Sequence, residues 1–161
     1  MFNTIKENFS RAFFALLFSI ITIATLSFLS FNTSYGLFLA GSFGATMVLI
    51  FGYPESPFAQ PKNVFFGHLI TSLVAILVLQ FLPLDDFLQI TIAVGFGIFF
   101  MILFGVTHPP AGGNPIVVIL AASSYEFLIN PIIFGTLIII FYAIILNRFI
   151  LKKNYPVNWP K

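Results

Sequence analysis

The sequence contains no cysteine and very few charged residues. The lack of cysteine excludes disulfides, thiolate metal sites and cysteine nucleophiles. Charged residues make up 7% of the 161 positions and hydrophobic residues 59%, whereas ordinary soluble domains are about 25% charged. These proportions exclude a soluble globular protein, and they also exclude a disordered chain, which needs low hydrophobicity and high charge. A net charge of +2 is too small and too scattered to indicate nucleic acid as a partner.

Apolar runs take up most of the chain, and their lengths indicate how they meet a bilayer. A helix that spans the hydrocarbon layer needs about 20 apolar residues. Four runs reach or approach that length, over residues 12–30, 64–82, 87–106 and 132–151. Two further apolar segments, 36–52 and 111–126, are interrupted by glycine or proline. The sequence therefore predicts an all-α polytopic membrane protein with about six hydrophobic segments, in a single membrane domain over 1–161 with a polar tail over 152–161.

The two halves of the chain repeat the same order of elements: a span, a broken short helix and a second span. When the chain is slid by 68 residues, Gly44 falls on Gly112 and residues 66–67 fall on 134–135, with the same amino acids at each position. Interrupted apolar segments at matching positions are a sequence sign of a transport site. We therefore predict two repeats, over about 11–82 and 87–151.

Basic residues indicate the orientation in the membrane. Lys6 and Arg11 flank the first span, and Arg148 with the two lysines after it flanks the last. Because basic residues favour the cytoplasmic side, both termini are expected there. Six crossings put Lys62 inside as well and make the repeats inverted, which is the version we favour. Four crossings with both short segments re-entrant also leave the termini inside, but make the repeats parallel.

The two breaks carry residues suited to holding a small anion. Each is a glycine-bearing stretch, over 42–46 and 108–114, that opens a short helix. A helix N-terminus offers unpaired N–H groups and a partial positive charge, and glycine lets a ligand approach that backbone. The candidate substrate-binding residues are Ser42, Gly44, Thr46, His108, Ala111, Gly112, Gly113 and Asn114. The alternative is that the glycines serve helix packing alone, because Gly36, Ala40 and Gly44 recur every four residues.

Two histidines and one glutamate could respond to protons. A histidine in an apolar span is uncommon, and by default it indicates function. His68 lies in such a span and His108 at a break, so either could donate to an anion or hold it once protonated. The alternative is a structural hydrogen bond to a neighbouring loop carbonyl. We assign His68 and Glu55 to gating or proton coupling, although Glu55 could instead form a salt bridge with Lys62 within the loop.

The remaining polar and proline positions are read as structural. Asn63 is suited to cap the helix that follows it. The structural loop residues are Pro54, Gln60, Pro61, Lys62, Asn63, Pro109 and Pro110. No zinc-protease, nucleophile-elbow or phosphate-loop motif is present, so we expect no enzyme activity, no cofactor and no metal.

Four stretches, 44–46, 54–63, 67–69 and 107–112, resemble the HPP family of integral membrane proteins. The family takes its name from the motif at His108-Pro109-Pro110, and the resemblance covers roughly residues 10–150. Plastid and cyanobacterial members are associated with nitrite transport, so the resemblance implies nitrite or a similar small anion as the cargo. The chain departs from the family after the motif, where residues 113–115 read Gly-Asn-Pro rather than the more usual continuation with Ala and Thr.

These observations predict a transporter or channel for a small monovalent anion, nitrite first, in the inner membrane of a bacterium. Backbone N–H groups near Gly44 and Gly112 would hold the anion at the bilayer midplane. The alternative is a non-transporting scaffold or a subunit of a larger complex. A homo-oligomer could form through small residues such as Ala93 and Gly97, which could equally pack within one subunit.

Overall fold

The computed structural model describes residues 2–34 and 36–157, and over these ranges the fold is helical, with no β-strand. Four of the helices in these ranges are long and apolar enough to cross a membrane. The four long helices are α1 (Phe2–Asn32), α3 (Pro61–Phe81), α4 (Asp86–Leu103) and α6 (Leu128–Ile150), and the two short ones are α2 (Phe43–Gly52) and α5 (Asn114–Leu120). The expected all-α class and its apolar spans are confirmed over the described residues.

Wide, π-helical turns occur in two of these helices. In α2, an α-helical turn over Phe43–Met47 continues as π-helix over Val48–Gly52. In α6, Thr136–Ile144 is α-helical and is flanked by π-helix over Leu128–Gly135 and Ile145–Ile150. The sequence placed the last span at 132–151, but the helix starts earlier and takes Pro131 inside it. A proline has no N–H to donate, and a local change of helix width re-satisfies the freed carbonyl groups.

The start of α3 differs from the sequence prediction. The helix begins at Pro61 with Gln60 as its N-cap residue, so Asn63 lies in the first turn and does not cap the helix. Proline is favoured at the first helical position because its fixed φ suits the helix and its missing N–H would be unpaired there anyway. The amide of Asn63 donates instead to the carbonyl oxygen of Thr107, at 2.9 Å.

The bundle has two distinguishable ends. The basic end is defined by Arg11, the loop 53–60 and the tail 151–157. There the Arg11 guanidinium lies 5.0 Å from the centre of the Tyr53 ring, and the Tyr155 hydroxyl donates to the Ala59 carbonyl oxygen at 3.0 Å. The acidic end is defined by the turn 82–85 and residues 121–127, and there the Tyr125 hydroxyl donates to Gln80 Oε1 at 2.7 Å.

Each broken segment runs from one end of the bundle to the other. The Phe38 N–H donates to Ser30 Oγ near the end of α1, and Asn147 near the end of α6 donates to the Ile50 carbonyl oxygen. Residues 36–40 are extended and Gly36 has a φ of +102°. The proposed packing face of Gly36, Ala40 and Gly44 is therefore wrong, because these residues do not share one helix.

α3 lies at the centre of the fold and packs on α4 and α5. Small residues permit the close approach. A Cβ at Gly97 would lie 3.2 Å from the Thr71 Cγ2, and Ala93 is fully buried in the apolar cluster shared by α3, α4 and α5. Ala93 and Gly97 therefore pack within one chain and do not form an exposed contact face for a second copy.

A glycine-to-alanine change at position 67 tests this close packing. A Cβ on Gly67 would lie 2.7 Å from the His108 Cβ and 3.2 Å from the Val106 carbonyl oxygen. The Val106 oxygen belongs to the backbone and the His108 Cβ is attached directly to it, so neither atom can move aside easily. We therefore expect Gly67→Ala to lower the free energy of unfolding by about 1–3 kcal/mol, measured by denaturant titration in nanodiscs. Gly95→Ala is the control, since its Cβ meets nothing within 4 Å. An equal loss of stability in both variants would contradict the prediction.

Candidate functional site

Five of the residues that the sequence singled out meet in one cluster at the helix breaks. We call Ser42, Thr46, His68, His108 and Asn114 the central cluster. Thr46, His68 and His108 have no solvent exposure, and Asn114 is 1% exposed. The cluster joins α2, α3 and α5, so it brings together the two breaks and the helix between them. The sequence supplied these residues but not their contact.

Thr46 bridges the two histidines. Its hydroxyl lies 3.0 Å from Nε2 of His68 and 3.0 Å from Nε2 of His108. The same hydroxyl lies 3.2 Å from the Ser42 carbonyl oxygen, one turn earlier in the chain. A hydroxyl has one proton and two lone pairs, so this single group can accept from one ring while it donates to the other.

Asn114 joins the two breaks to each other. Its Oδ1 accepts a hydrogen bond from Ser42 Oγ at 2.6 Å, so the Ser42 hydroxyl does not cap its own helix. Its Nδ2 lies 3.0 Å from His68 Nδ1 and 2.9 Å from Ser72 Oγ. One amide therefore connects α2, α3 and α5 in the interior of the bundle.

Local sequence explains how His108 reaches the cluster. The residue before a proline is biased towards extended backbone, and His108 precedes Pro109 with φ −136° and ψ +97°. Pro109 and Pro110 then begin a 3₁₀ turn, in which the buried Ala111 donates its N–H to the His108 carbonyl oxygen. Nδ1 of His108 lies 2.7 Å from the Phe58 carbonyl oxygen, so the imidazole is held on both sides.

The glycines of the breaks border open space. A Cβ built on Gly44, Gly112 or Gly113 would meet nothing within 4 Å. Gly44 is exposed, and Gly112 and Gly113 are half-buried. None of the three therefore makes the close helix contact that the packing interpretation requires, and their main chain stays accessible to a small ligand.

The loop 53–60, which we call the proline loop, is held by Gln60 and by the tail. Gln60 donates through Nε2 to the carbonyl oxygens of Pro54 and Ser56, and its Oε1 accepts from the Val157 N–H at 2.7 Å. Tyr155 is buried, and burial raises the pKa of its hydroxyl.

A cavity of about 580 Å³ lies at the basic end above the start of α3. Glu55, Lys62 and Asn63 line it, so the structure places Glu55 beside this cavity and not in the central cluster. Glu55 and Lys62 form no ion pair with each other, which makes the loop salt bridge wrong. Asn63 Oδ1 is buried without a hydrogen-bond partner, and its amide bonds the residue before His108.

Sequence reasoning missed three contributors to the cluster. The Phe58 carbonyl oxygen gives no side-chain signal at all. Ser72, which bonds Asn114, is an ordinary residue of an apolar helix. The Phe43 ring lies edge-on to His68, with 5.3 Å between ring centres. Over the part of the chain that the structure describes, no group of three or more His, Cys, Asp or Glu could hold a metal ion.

Replacing Asn114 tests whether the cluster stabilises the fold. Asn114→Leu keeps a similar volume but leaves Ser42, Ser72 and His68 without their partner. A buried polar group without a partner costs about 1–3 kcal/mol, so we expect a loss of unfolding free energy of at least that size by denaturant titration in nanodiscs. Asn154→Leu, at an exposed tail position, is the control. A similar stability in the two variants would show that the amide contributes nothing.

Comparison with known proteins agrees with this architecture. The family model described as "HPP, transmembrane region" matches residues 4–156. Two transmembrane proteins of Dictyostelium discoideum are 32% and 33% identical over 75% and 76% of the chain. The matches cover 45% and 42% of those proteins, so the chain spans less than half the length of these relatives. No solved structure matches. The chain therefore belongs to the HPP transmembrane family and is a membrane protein with several apolar helices.

Proposed function

We propose that this protein transports a small monovalent anion, nitrite first, across a bacterial inner membrane, and that the central cluster is its substrate site. The observation that carries the proposal is the hydrogen bond of 2.6 Å from Ser42 Oγ to Asn114 Oδ1. It joins two helix breaks that enter from opposite ends of the bundle. Interrupted helices that meet in the interior are a feature of transport sites in membrane proteins.

In this proposal the chain crosses the membrane six times. α1, α3, α4 and α6 are long enough to cross alone. α2 and α5 each complete a crossing together with the extended or 3₁₀ residues before them. The half with α1, α2 and α3 then starts at the basic end, and the half with α4, α5 and α6 starts at the acidic end. The two repeats, over about 11–82 and 87–151, are inverted.

The distribution of charge supports one orientation. The lysines and arginines of the described chain all belong to elements at the basic end, and the acidic end carries Asp85, Asp86 and Glu126. Because basic residues favour the cytoplasmic side, the basic end and both termini are cytoplasmic. The cavity at Glu55, Lys62 and Asn63 then serves as the cytoplasmic entrance.

The chemistry of the central cluster favours an anion over a hard metal cation. Hard cations are bound in proteins by carboxylate and carbonyl oxygens. The cluster offers two imidazoles, two hydroxyls and one amide, and no carboxylate. Among the described residues no Asp, Glu, Lys or Arg side chain is buried. Neutral donors can hold a monovalent anion without a fixed positive charge, so release from the site stays feasible.

The hydrogen bonds within the cluster limit the size of the anion that can bind and indicate how the transport path opens. Its five side chains bond one another, so an anion binds by replacing some of these bonds, and only a small anion with few acceptor atoms fits. Nitrite, with two oxygen acceptors, satisfies this, and its choice over other small anions comes from the resemblance to the family. Ser42 and Asn114 separate when one half of the protein moves against the other, which opens the path.

Anion uptake into proteoliposomes tests the proposal. Wild type should take up nitrite in preference to nitrate, formate and chloride. His108→Ala removes the imidazole that donates to the anion once it is protonated, and we expect uptake to fall by roughly tenfold or more, because one lost hydrogen bond to a charged group is worth about 1.5–3 kcal/mol. Asp85→Asn, in the exposed turn at the acidic end, is the control and should keep the wild-type rate. Absence of any anion flux from folded wild type would favour the scaffold interpretation.

A second variant tests the accessible main chain at the breaks. A side chain at Gly112 enters open space, since its Cβ meets nothing within 4 Å. We therefore expect Gly112→Leu to fold and insert but to lose flux, because the leucine occupies the volume in which the anion approaches. Circular dichroism and size-exclusion elution report on folding. Undiminished flux in this variant would remove Gly112 from the site.

A further inference from the structure

The hydrogen bonds of the central cluster have a place for one more proton. We infer that His68, Thr46 and His108 together bind a single proton with each anion, so that the protein moves an anion and a proton in the same step. The inference rests on the proposed anion transport, which it deepens by naming the coupled ion. It is carried by the geometry of the hydrogen bonds within the cluster.

The neutral state of the cluster has one consistent arrangement of hydrogens, and the Phe58 carbonyl oxygen fixes where it starts. A carbonyl oxygen only accepts, so Nδ1 of His108, 2.7 Å away, carries a hydrogen. In a neutral imidazole the other nitrogen is then an acceptor. Nε2 of His108 therefore accepts from the Thr46 hydroxyl at 3.0 Å.

The same reasoning continues through His68 to Ser42. The Thr46 hydroxyl has used its one hydrogen, so Nε2 of His68 donates to it at 3.0 Å. Nδ1 of His68 is then an acceptor, and the Asn114 amide donates to it at 3.0 Å. The Asn114 oxygen accepts from Ser42 at 2.6 Å. All hydrogens point the same way along the chain, from Ser42 to Phe58.

An added proton is accommodated by the turn of one hydroxyl. Nε2 of His108 takes a proton from water, and a new N–H bond forms there as water keeps the electron pair of the bond that breaks. The Thr46 hydrogen then turns from His108 to the Ser42 carbonyl oxygen, 3.2 Å away. Thr46 now accepts from both imidazoles, so every hydrogen again has an acceptor and no heavy atom has moved.

A second proton has no such place. Protonation of His68 would put a hydrogen on Nδ1, which faces the NH₂ group of Asn114, so two donors would oppose each other. Two imidazolium rings would also repel, because the ring centres are 5.0 Å apart. The capacity of the cluster is therefore one proton.

The uncharged surroundings of the two imidazoles make binding of the proton depend on binding of the anion. None of the groups that face the two imidazoles carries a charge. They are Thr46 and Phe43 from α2, Gly67 from α3, which packs against His108, the Phe58 carbonyl from the proline loop, and Asn114 from α5. Glu55 and Lys62 line the cavity and make no hydrogen bond to the cluster. A buried charge without a partner is costly, so the bound anion supplies the partner.

Proton flux in proteoliposomes tests the coupling. With pyranine inside the vesicles, wild type should carry one proton inward with each nitrite, at a rate that does not change with a potassium–valinomycin potential. One pH unit is a tenfold difference in proton concentration. When the vesicle interior is one pH unit more alkaline than the outside, nitrite should therefore accumulate inside about tenfold. Protein-free vesicles give the baseline for nitrous acid that crosses the lipid unaided. Nitrite flux without proton movement, at a rate set by the membrane potential, would overturn the inference.

Thr46 offers a matched pair of variants for the same assay. Thr46→Ser keeps the hydroxyl that turns between His108 and Ser42, and it should keep the ratio of one proton per anion. Thr46→Val keeps the shape of the side chain without the hydroxyl, and it should lose proton movement. Coupled flux in Thr46→Val equal to that in Thr46→Ser would contradict the assignment of this hydroxyl.

The histidine spectra separate this inference from the proposed function. The chain has two histidines, so ¹⁵N spectra of imidazole-labelled protein in bilayers contain two sets of ring signals, identified by His68→Gln and His108→Gln. Without flux in wild type the proposed transport fails, and the spectra still decide the proton site. At neutral pH we expect hydrogen on Nδ1 of His108 and on Nε2 of His68. On acidification with nitrite present, His108 alone should become doubly protonated. The opposite tautomers, or both rings protonating together, would overturn the inference.

Discussion

A polar group inside an apolar bundle must find its partner within the protein, and Asn114 meets this constraint for three segments at once. Hydrocarbon offers no hydrogen bond in exchange, so the amide holds the breaks of α2 and α5 against α3 through bonds that nothing else can replace. Its oxygen accepts from Ser42 and its nitrogen donates to His68 and Ser72. Both short helices also bury apolar side chains, such as Phe43 and Val118, and this one amide supplies the polar link between them.

Much of this site could be predicted because polar residues are so rare in the chain. In a sequence with 59% hydrophobic residues, a histidine or an asparagine inside an apolar segment is costly unless it has a role. That argument selected His68 and His108, whereas Ser42, Thr46 and Asn114 were selected as residues of the glycine-bearing breaks. The structure brings these five into one cluster. The pattern of breaks likewise predicted two short helices between long ones. The pattern could not predict contacts between residues that are distant in the sequence. Nothing in it indicates that Thr46 lies between two imidazoles.

The missed and mistaken residues share a physical cause, which is competition from groups that a sequence pattern does not show. Asn63 is a good capping residue in isolation, but Pro61 starts the helix earlier and the amide goes to a distant carbonyl. The Glu55 and Lys62 pair looked like a salt bridge, but the loop is held instead by neutral contacts of Gln60. The Phe58 carbonyl, which sets the hydrogen of His108, belongs to the main chain and could not be recognised from residue type.

The tail 151–157 helps to fix the tautomer of the buried His108, although it lies at one end of the bundle. Tyr155 and Val157 hold Ala59 and Gln60, and these two residues immediately follow Phe58, whose carbonyl selects one tautomer of His108. The row of hydrogens from Ser42 to Phe58 is an electric dipole with a fixed sense. Segments almost 100 residues apart in the chain (positions 58 and 155–157) therefore set that sense together. If the tail left its place, the two tautomers would become closer in energy and the dipole would lose its direction.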